Sequence, residues 1–360
     1  MKQIHFPGGF IVGHDILKDF VSYGASFGKK MAFIGGQRAL KAAEDKLRES
    51  FKGSDCQCTF VTCGSLATLS EIERVSQIPE VVEADVLCGL GGGSCMDIVR
   101  TVGNRQKKPL IMIPTTASSD APCSRVSVFY AEDGSHIIGD QVHLKGPELV
   151  VVDTELIAKA PARHLASGMG DAIATIYEAT TCKNGTAGGR ITETAMMMAK
   201  LCYNIIMEDG MNAYASVLKK ESSPALERVI EANCFLSGVG GTNTGCAAGH
   251  GIGDYLCMIS DGHSFMHGER VYIGLMVQLI LEGYPMDELL SLMSFGKAVG
   301  LPLSISDIGV TNVEETAMEL AKALQDDHFM QNLTCDYSEN VLANAICLAD
   351  QLAQKIYKGE

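Results

Sequence analysis

The sequence predicts an α/β N-terminal nucleotide-binding domain with a parallel sheet, followed by an all-α C-terminal domain, and three observations carry that prediction. From residue 30 to about 155, short apolar runs alternate with longer amphipathic stretches, the pattern of strands joined by crossover helices. After Pro161 strand signals almost vanish and long helical periods take over. Within the first part, a glycine-rich turn closes one strand candidate and opens a helix. The domain boundary is therefore placed near residue 160, giving units 1–160 and 161–360.

The strand candidates are Met31 to Gly35, Cys58 to Cys63, Val86 to Leu90, Pro109 to Pro114 and Glu148 to Asp153. Helices fill the gaps, as in Arg38 to Glu49 and Met96 to Asn104, where apolar residues recur at helical spacing. Between Arg125 and Gln141, Asp133-Gly134 is a turn dipeptide flanked by apolar runs, so this stretch reads as a hairpin that decorates the sheet. In the second part the helical periods are His164 to Thr181, Ile191 to Glu208, Pro224 to Leu236, Val271 to Leu281 and Ser338 to Tyr357. Ser223 before Pro224, with Glu227 in the first turn, is a well-formed helix start.

Composition excludes several function classes. A chain of 360 residues that is 46% hydrophobic can fill two cores without disulfides. Its 29 basic against 43 acidic residues give a formal charge of −14, which repels nucleic acid and anionic lipid alike. The thirteen cysteines are too dilute for a disulfide scaffold and odd in number. No apolar run reaches membrane-span length, and the first residues carry no charged-then-apolar signal. The expectation is a cytoplasmic protein with reduced thiols, no nucleic-acid partner and no membrane association.

The run Gly89-Leu90-Gly91-Gly92-Gly93-Ser94 sits between a strand and a helix, where bare backbone amides can hold a phosphate. A tight turn needs one glycine; this one has four. A second pair, Gly35-Gly36, ends the first strand candidate, where the ribose of a dinucleotide lies in sheets of this type.

Three further positions stand out by their small neighbours: Asp171 in GMGDA, His250 in CAAGHG and His267 in FMHGE. Two histidines and one carboxylate suit Zn²⁺ or Fe²⁺ with an open coordination position. Their separation matches no local ligand motif, so spacing leaves structural roles open for each. Asp171 is read at the start of a helix, where the macrodipole favours a carboxylate in any case, and His263 competes for a ligand role.

These pieces, in this order, resemble the iron-containing alcohol dehydrogenase superfamily, most closely its glycerol dehydrogenase branch. The resemblance is carried by GLGGGSCMD, PTTASSDAPCSRVSVFY, VVVDTELIAKAPARHLASGMGDAIATIYEA, SPALERVIEANCFLSGVG and HGERVYIG. It implies the dehydroquinate synthase-like fold of that superfamily, with a dinucleotide-binding domain, a helical metal- and substrate-binding domain, and a cleft between them. It also implies an oxidoreductase using NAD, with NADP possible, and one divalent metal, zinc in preference to iron. The metal ligands fall on Asp171, His250 and His267, and Asp120 matches a carboxylate facing a polyol substrate. The pyrophosphate falls on Gly92, Gly93, Ser94, Cys95, Met96 and Asp97. Thr115, Thr116, Ser118, Ser124, Val126 and Tyr130 match positions lining the nicotinamide, and Gly36 faces the ribose. The implied protein is a homo-oligomer that oxidises glycerol or another vicinal diol to the hydroxyketone.

Four departures bear on that expectation. Gly36 stands where many NAD-specific members have aspartate, and Arg38 is close by. Ser94 replaces a lysine usual in the branch, Gly253 replaces a second histidine three residues beyond His250, and residues 240–245 depart from an aromatic-and-acidic pattern. The rival readings are a same-scaffold enzyme acting on a phosphorylated or other alcohol or aldehyde substrate, and a non-catalytic nucleotide-binding homologue.

Overall fold

The computed structural model describes residues 1–359. Its sheet contains β1 (Phe10–Gly13), β2 (Lys30–Gly35), β3 (Gln57–Thr62), β4 (Val86–Gly91), β5 (Leu110–Pro114) and β8 (Leu149–Asp153), all parallel, in the order β1-β8-β5-β4-β2-β3. The strands β4, β5 and β8 are buried along their whole length, as unbroken apolar runs require when helices cover both faces. Between them lie α1 (Phe20–Gly24), α2 (Gln37–Phe51), α3 (Leu69–Ser76), α4 (Pro79–Glu83) and α5 (Gly93–Gln106). β6 (Val126–Tyr130) and β7 (Ile137–Val142) pair antiparallel as a separate two-stranded sheet, so the hairpin stands off the main sheet as expected.

The chain winds outward from β2 to β3, then returns to place β4 on the other side of β2. The carboxyl ends of β2 and β4 thus flank a topological switch point, the place where open α/β sheets bind ligands. Gly35-Gly36 and the glycine-rich turn occupy those two ends.

The remainder is helical: α6 (Thr154–Ala158), α7 (Ala162–Thr181), α8 (Glu193–Lys219), α9 (Pro224–Glu231), α10 (Ser237–Thr244), α11 (Ala248–Tyr255), α12 (His267–Leu281), α13 (Met286–Val299), α14 (Val313–Ala323) and α15 (Glu339–Lys358). No strand follows β8 among the described residues. One face of the sheet packs on α1 and α2 through Phe20, Phe33, Leu47 and Phe51. The other face joins a core running from Ile34, Leu87 and Met112 into α7, α12 and α15.

Two helix expectations are corrected. The period from Pro224 to Leu236 is broken: α9 ends at Glu231 and the chain widens into a π-helical turn over Ala232–Leu236 before α10. Asn233 on that turn donates to the carbonyls of Ala117 (3.0 Å) and Leu165 (3.3 Å), pinning the sheet-side loop to α7; such turns are frequent at functional sites. The helix expected over Ile191 to Glu208 runs over Glu193–Lys219, passing through Gly210, where the missing side chain admits Phe295: a Cβ there would meet its ring at 2.9 Å.

Candidate active site

At the switch point β4 runs directly into α5. Gly92 is the N-cap and offers no side chain to the first amides of α5, which leaves them free for an anion. Gly93 and Ser94 open onto a cavity of about 640 Å³. Cys95 and Met96 lie beneath the turn: the Cys95 thiol donates to the Ile34 carbonyl and Met96 is fully buried. Only their backbones can face a cofactor. Thr115 N donates to Gly91 O (3.0 Å), and Thr116 Oγ1 lies 3.2 Å from Ser118 Oγ beside the turn. Ser118, Ser124, Val126 and Tyr130 line the cavity with Asp97, whereas Gly36, Gly92, Thr115 and Thr116 sit outside its lining.

Burial raises the Asp97 carboxyl to about 6, against the pull of Arg100. Arg100, wholly buried on the next turn of α5, donates to Asp97 Oδ1 (2.7 Å), to Val126 O (2.7 Å) and to Ala121 O. A charged, bonded guanidinium therefore fixes α5 to the 121–127 segment that carries Ser124 and Val126. Burial also drives the Tyr130 phenol up to about 12, so it stays protonated and able to donate.

Across the cavity, three helices bring Asp171, His250 and His267 together. Asp171 lies in the middle of α7, not at a helix start, so the macrodipole does not account for it. Its flanking glycines serve close approach: a Cβ on Gly168 would lie 2.0 Å from Ala117 O, and one on Gly170 would lie 2.7 Å from Gly268 O. α7 can therefore press against both the sheet-side loop and the start of α12, whose first residue is His267. His250 is in the first turn of α11.

Asp171 Oδ1 is 3.6 Å from His250 Nε2 and 3.5 Å from His267 Nε2. Ligand bonds of about 2 Å in a tetrahedron put ligand atoms about 3.3 Å apart, close to these spacings. Asp171 is 3% exposed, and its Oδ2 is buried with no hydrogen-bond partner, an arrangement that is costly without a cation. The set fits a divalent ion. His263 is exposed at the cavity edge and stands outside the cluster.

Asp120 lines the same cavity. Burial first, and then the neighbouring Asp171 charge, push its carboxyl up from the ordinary range. Around it the wall is small and hydroxylated: Thr175 and Ser237 share a 3.0 Å hydrogen bond, Thr186 donates to Gly241 O (3.2 Å), and Thr242 and Gly245 complete that side. Asp133, Asp140 and Asp254 also line the cavity. Arg270, the one arginine in the lining, gives Nε and Nη1 to the carbonyls of Gly253, Gly262 and Phe265. Arg125 faces away and holds His143 O and Leu144 O.

Sequence reasoning missed Glu178 and Arg100. Glu178 Oε2 is 2.6 Å from His250 Nδ1, and its Oε1 accepts from the backbone N–H of Ala247 and His250, both at 2.9 Å. It follows Asp171 by seven residues, two helical turns on the same face, which is the signal that could have found it. Arg100 follows Asp97 at i+3, the spacing of an intrahelical ion pair.

Comparison with known proteins accords with this geometry. The profile of the iron-containing alcohol dehydrogenase family matches residues 13–161. The glycerol dehydrogenase of Escherichia coli O6:H1 is 34% identical, with 98% of each chain covered. That of Thermotoga maritima is 37% identical, with 89% of each covered. The crystal structure of glycerol dehydrogenase from Schizosaccharomyces pombe superposes with a TM-score of 0.93 at 28% identity, covering 100% of this chain and 93% of that one. With the glycine turn at the switch point and the three candidate ligands convergent across it, the chain belongs to the iron-containing alcohol dehydrogenase superfamily, in its glycerol dehydrogenase branch.

Proposed function

We propose that this protein is a metal-dependent, NAD(P)-linked dehydrogenase that oxidises a small polyol, such as glycerol or another vicinal diol, to the hydroxyketone. In this reading residues 1–160 bind the dinucleotide and residues 161–360 supply the metal and substrate contacts. The observation that carries it is the convergence of Asp171, His250 and His267, with Asp120 nearby, on a cavity that begins at the uncapped amides of α5.

When bound, a divalent ion supplies Lewis acidity toward a substrate hydroxyl and the nicotinamide supplies a hydride acceptor. The chain's own residues orient and exclude. The amides of Gly93 and Ser94 hold the pyrophosphate, and the Arg100 clamp keeps Ser124 and Val126 beside the nicotinamide. Asp120 accepts a hydrogen bond from a substrate hydroxyl, and Phe265, Met266 and Phe329 line the cavity and limit water. Zinc is the proposed metal: two imidazoles and one carboxylate at these spacings suit a tetrahedral site with one open position.

A phosphorylated substrate is disfavoured, since such groups want lysine or arginine: the lining has no lysine, its one arginine gives Nε and Nη1 to carbonyls, and carboxylates surround the rest. All thirteen cysteines are unpaired, which supports a reducing, cytoplasmic setting. Exposed Met197 and Leu201, four residues apart on one face of α8, support self-association.

The test is initial-rate reduction of NAD⁺ and NADP⁺ with glycerol, 1,2-propanediol and 2,3-butanediol, before and after chelation, with zinc or iron restored. Turnover that vanishes with chelator and returns with one ion supports the proposal. Protein that holds metal yet turns over none of the diols defeats the polyol assignment.

A further inference from the structure

The two histidines of the cluster are built alike. Each turns Nε2 toward Asp171 and Nδ1 toward a carboxylate: His250 toward Glu178 at 2.6 Å, His267 toward Asp254 at 3.5 Å. Glu178 is fully engaged, with both oxygens bonded. Asp254 is not: its Oδ1 is buried and has no hydrogen-bond partner.

Local sequence explains how Asp254 comes to face His267. It lies four residues after His250 on α11, on the same helix face. α11 and α12 approach closely because residue 253 has no side chain; a Cβ there would stand 2.8 Å from Val271 N and 2.9 Å from Val271 Cα. Arg270, the nearest cation that might compete for Asp254, gives its Nε to Gly253 O (3.1 Å) and Nη1 to the carbonyls of Gly262 and Phe265. No nitrogen of Arg270 pairs with Asp254, and His267 Nδ1, 3.5 Å from Oδ1, is the donor that faces the carboxylate. The separation of 3.5 Å is longer than a formed hydrogen bond, and such contacts tighten when a site is loaded.

We propose that Asp254 is a positioning residue for His267: it accepts a hydrogen bond from Nδ1–H, fixes the tautomer that leaves the Nε2 lone pair toward Asp171, and so completes a second carboxylate–histidine pair behind the metal cluster. This rests on Asp171, His250 and His267 being the ligand set. A partner behind each ligating imidazole sets its orientation and basicity, and losing one costs roughly 10–100-fold in metal affinity.

The experiment measures Zn²⁺ affinity by chelator competition, and Tm without metal, for wild type, D254S, D254N and H267A. The expected result is a loss of roughly 10–100-fold in D254S, recovery of most of that affinity in D254N, whose amide oxygen can still accept from Nδ1, and an unchanged metal-free Tm in both. Wild-type affinity in D254S overturns the proposal. So does a loss of affinity matched by a lower metal-free Tm, which would make Asp254 a support of the fold. H267A separates the two levels: if it too keeps wild-type affinity, the ligand set itself is wrong, whereas weak H267A with intact D254S rejects only Asp254.

Discussion

Glu178 holds His250 twice, at the ring through a 2.6 Å contact with Nδ1 and at the backbone through a 2.9 Å bond from its N–H. One buried carboxylate on α7 therefore sets both the start of α11 and the direction in which the His250 ring points. Glu178→Gln keeps one acceptor oxygen but brings an NH₂ into a site that needs two acceptors. Metal affinity should fall roughly 10–100-fold, read by chelator competition. Glu178→Ala should also lower Tm, because it strands the buried amides of Ala247 and His250, at about 1–3 kcal/mol. Unchanged affinity in E178Q would mean that His250 is oriented by packing alone.

Gly241 faces Asp120 across the cavity: a Cβ there would stand 3.4 Å from Asp120 Oδ2. Gly238, one turn earlier on α10, packs on the Asp120 backbone, so both glycines look toward the same loop. Gly241→Ala should raise stability by up to about 1 kcal/mol through helix propensity. The same methyl narrows the space beside Asp120, and Gly241→Phe fills it. The expected reading is a drop in kcat/KM that is larger for 2,3-butanediol than for glycerol, with Tm maintained in G241A. A ratio of the two kcat/KM values that G241F leaves as in wild type would place the substrate elsewhere in the cavity.

What could be read in advance follows from which signals are local. The parallel strands were legible because β4, β5 and β8 are buried on both faces and must be apolar throughout. β1 was missed: FIVG is four residues long, half-buried and at the sheet edge, so no alternation or long run marks it. The glycines around Asp171 resembled a helix start, yet their work is to let α7 touch Ala117 and Gly268, contacts with residues far away in sequence. The cluster was legible through resemblance rather than spacing, since α7, α11 and α12 meet only in three dimensions. Glu178 and Asp254 act through a histidine, and only helical spacing marks them, seven residues after Asp171 and four after His250.

Acid should weaken the network at the end of β1. Asp15 accepts a hydrogen bond from Lys18 and pairs with the Lys46 ammonium at 2.7 Å, and these two cations hold its carboxyl down to about 2. A carboxyl lowered in the folded state stabilises fully above its ordinary value of 3.8, and that contribution is lost as pH falls from about 4 to 2. Asp15→Asn tolerates the left-handed φ of 58° found there and removes the charge. D15N should cost about 1 kcal/mol or less at pH 7, because the pairs are partly solvated, and should flatten the loss of stability between pH 4 and 2. Denaturant unfolding at several pH values checks it; parallel curves for wild type and D15N would show that Asp15 contributes nothing there.

Gly36 closes β2 and caps α2 with φ −66° and ψ 151°, a conformation open to any residue, and a Cβ built on it meets nothing within 4 Å. An aspartate therefore fits without strain, and as an N-cap it would also satisfy amides at the start of α2 that have no side-chain partner. At the end of this strand a carboxylate accepts from the ribose hydroxyls of NAD⁺ and repels the 2′-phosphate of NADP⁺. The wild-type chain has no such group and carries exposed Arg38 two residues on, so it should accept both cofactors. Gly36→Asp should raise the NAD⁺ to NADP⁺ ratio of kcat/KM by about tenfold or more, the equivalent of about 1.4 kcal/mol, with kcat on NAD⁺ maintained. A wild-type enzyme already strongly selective for NAD⁺, or a ratio that G36D leaves unmoved, would mean that the ribose is recognised by other groups than those at the end of β2.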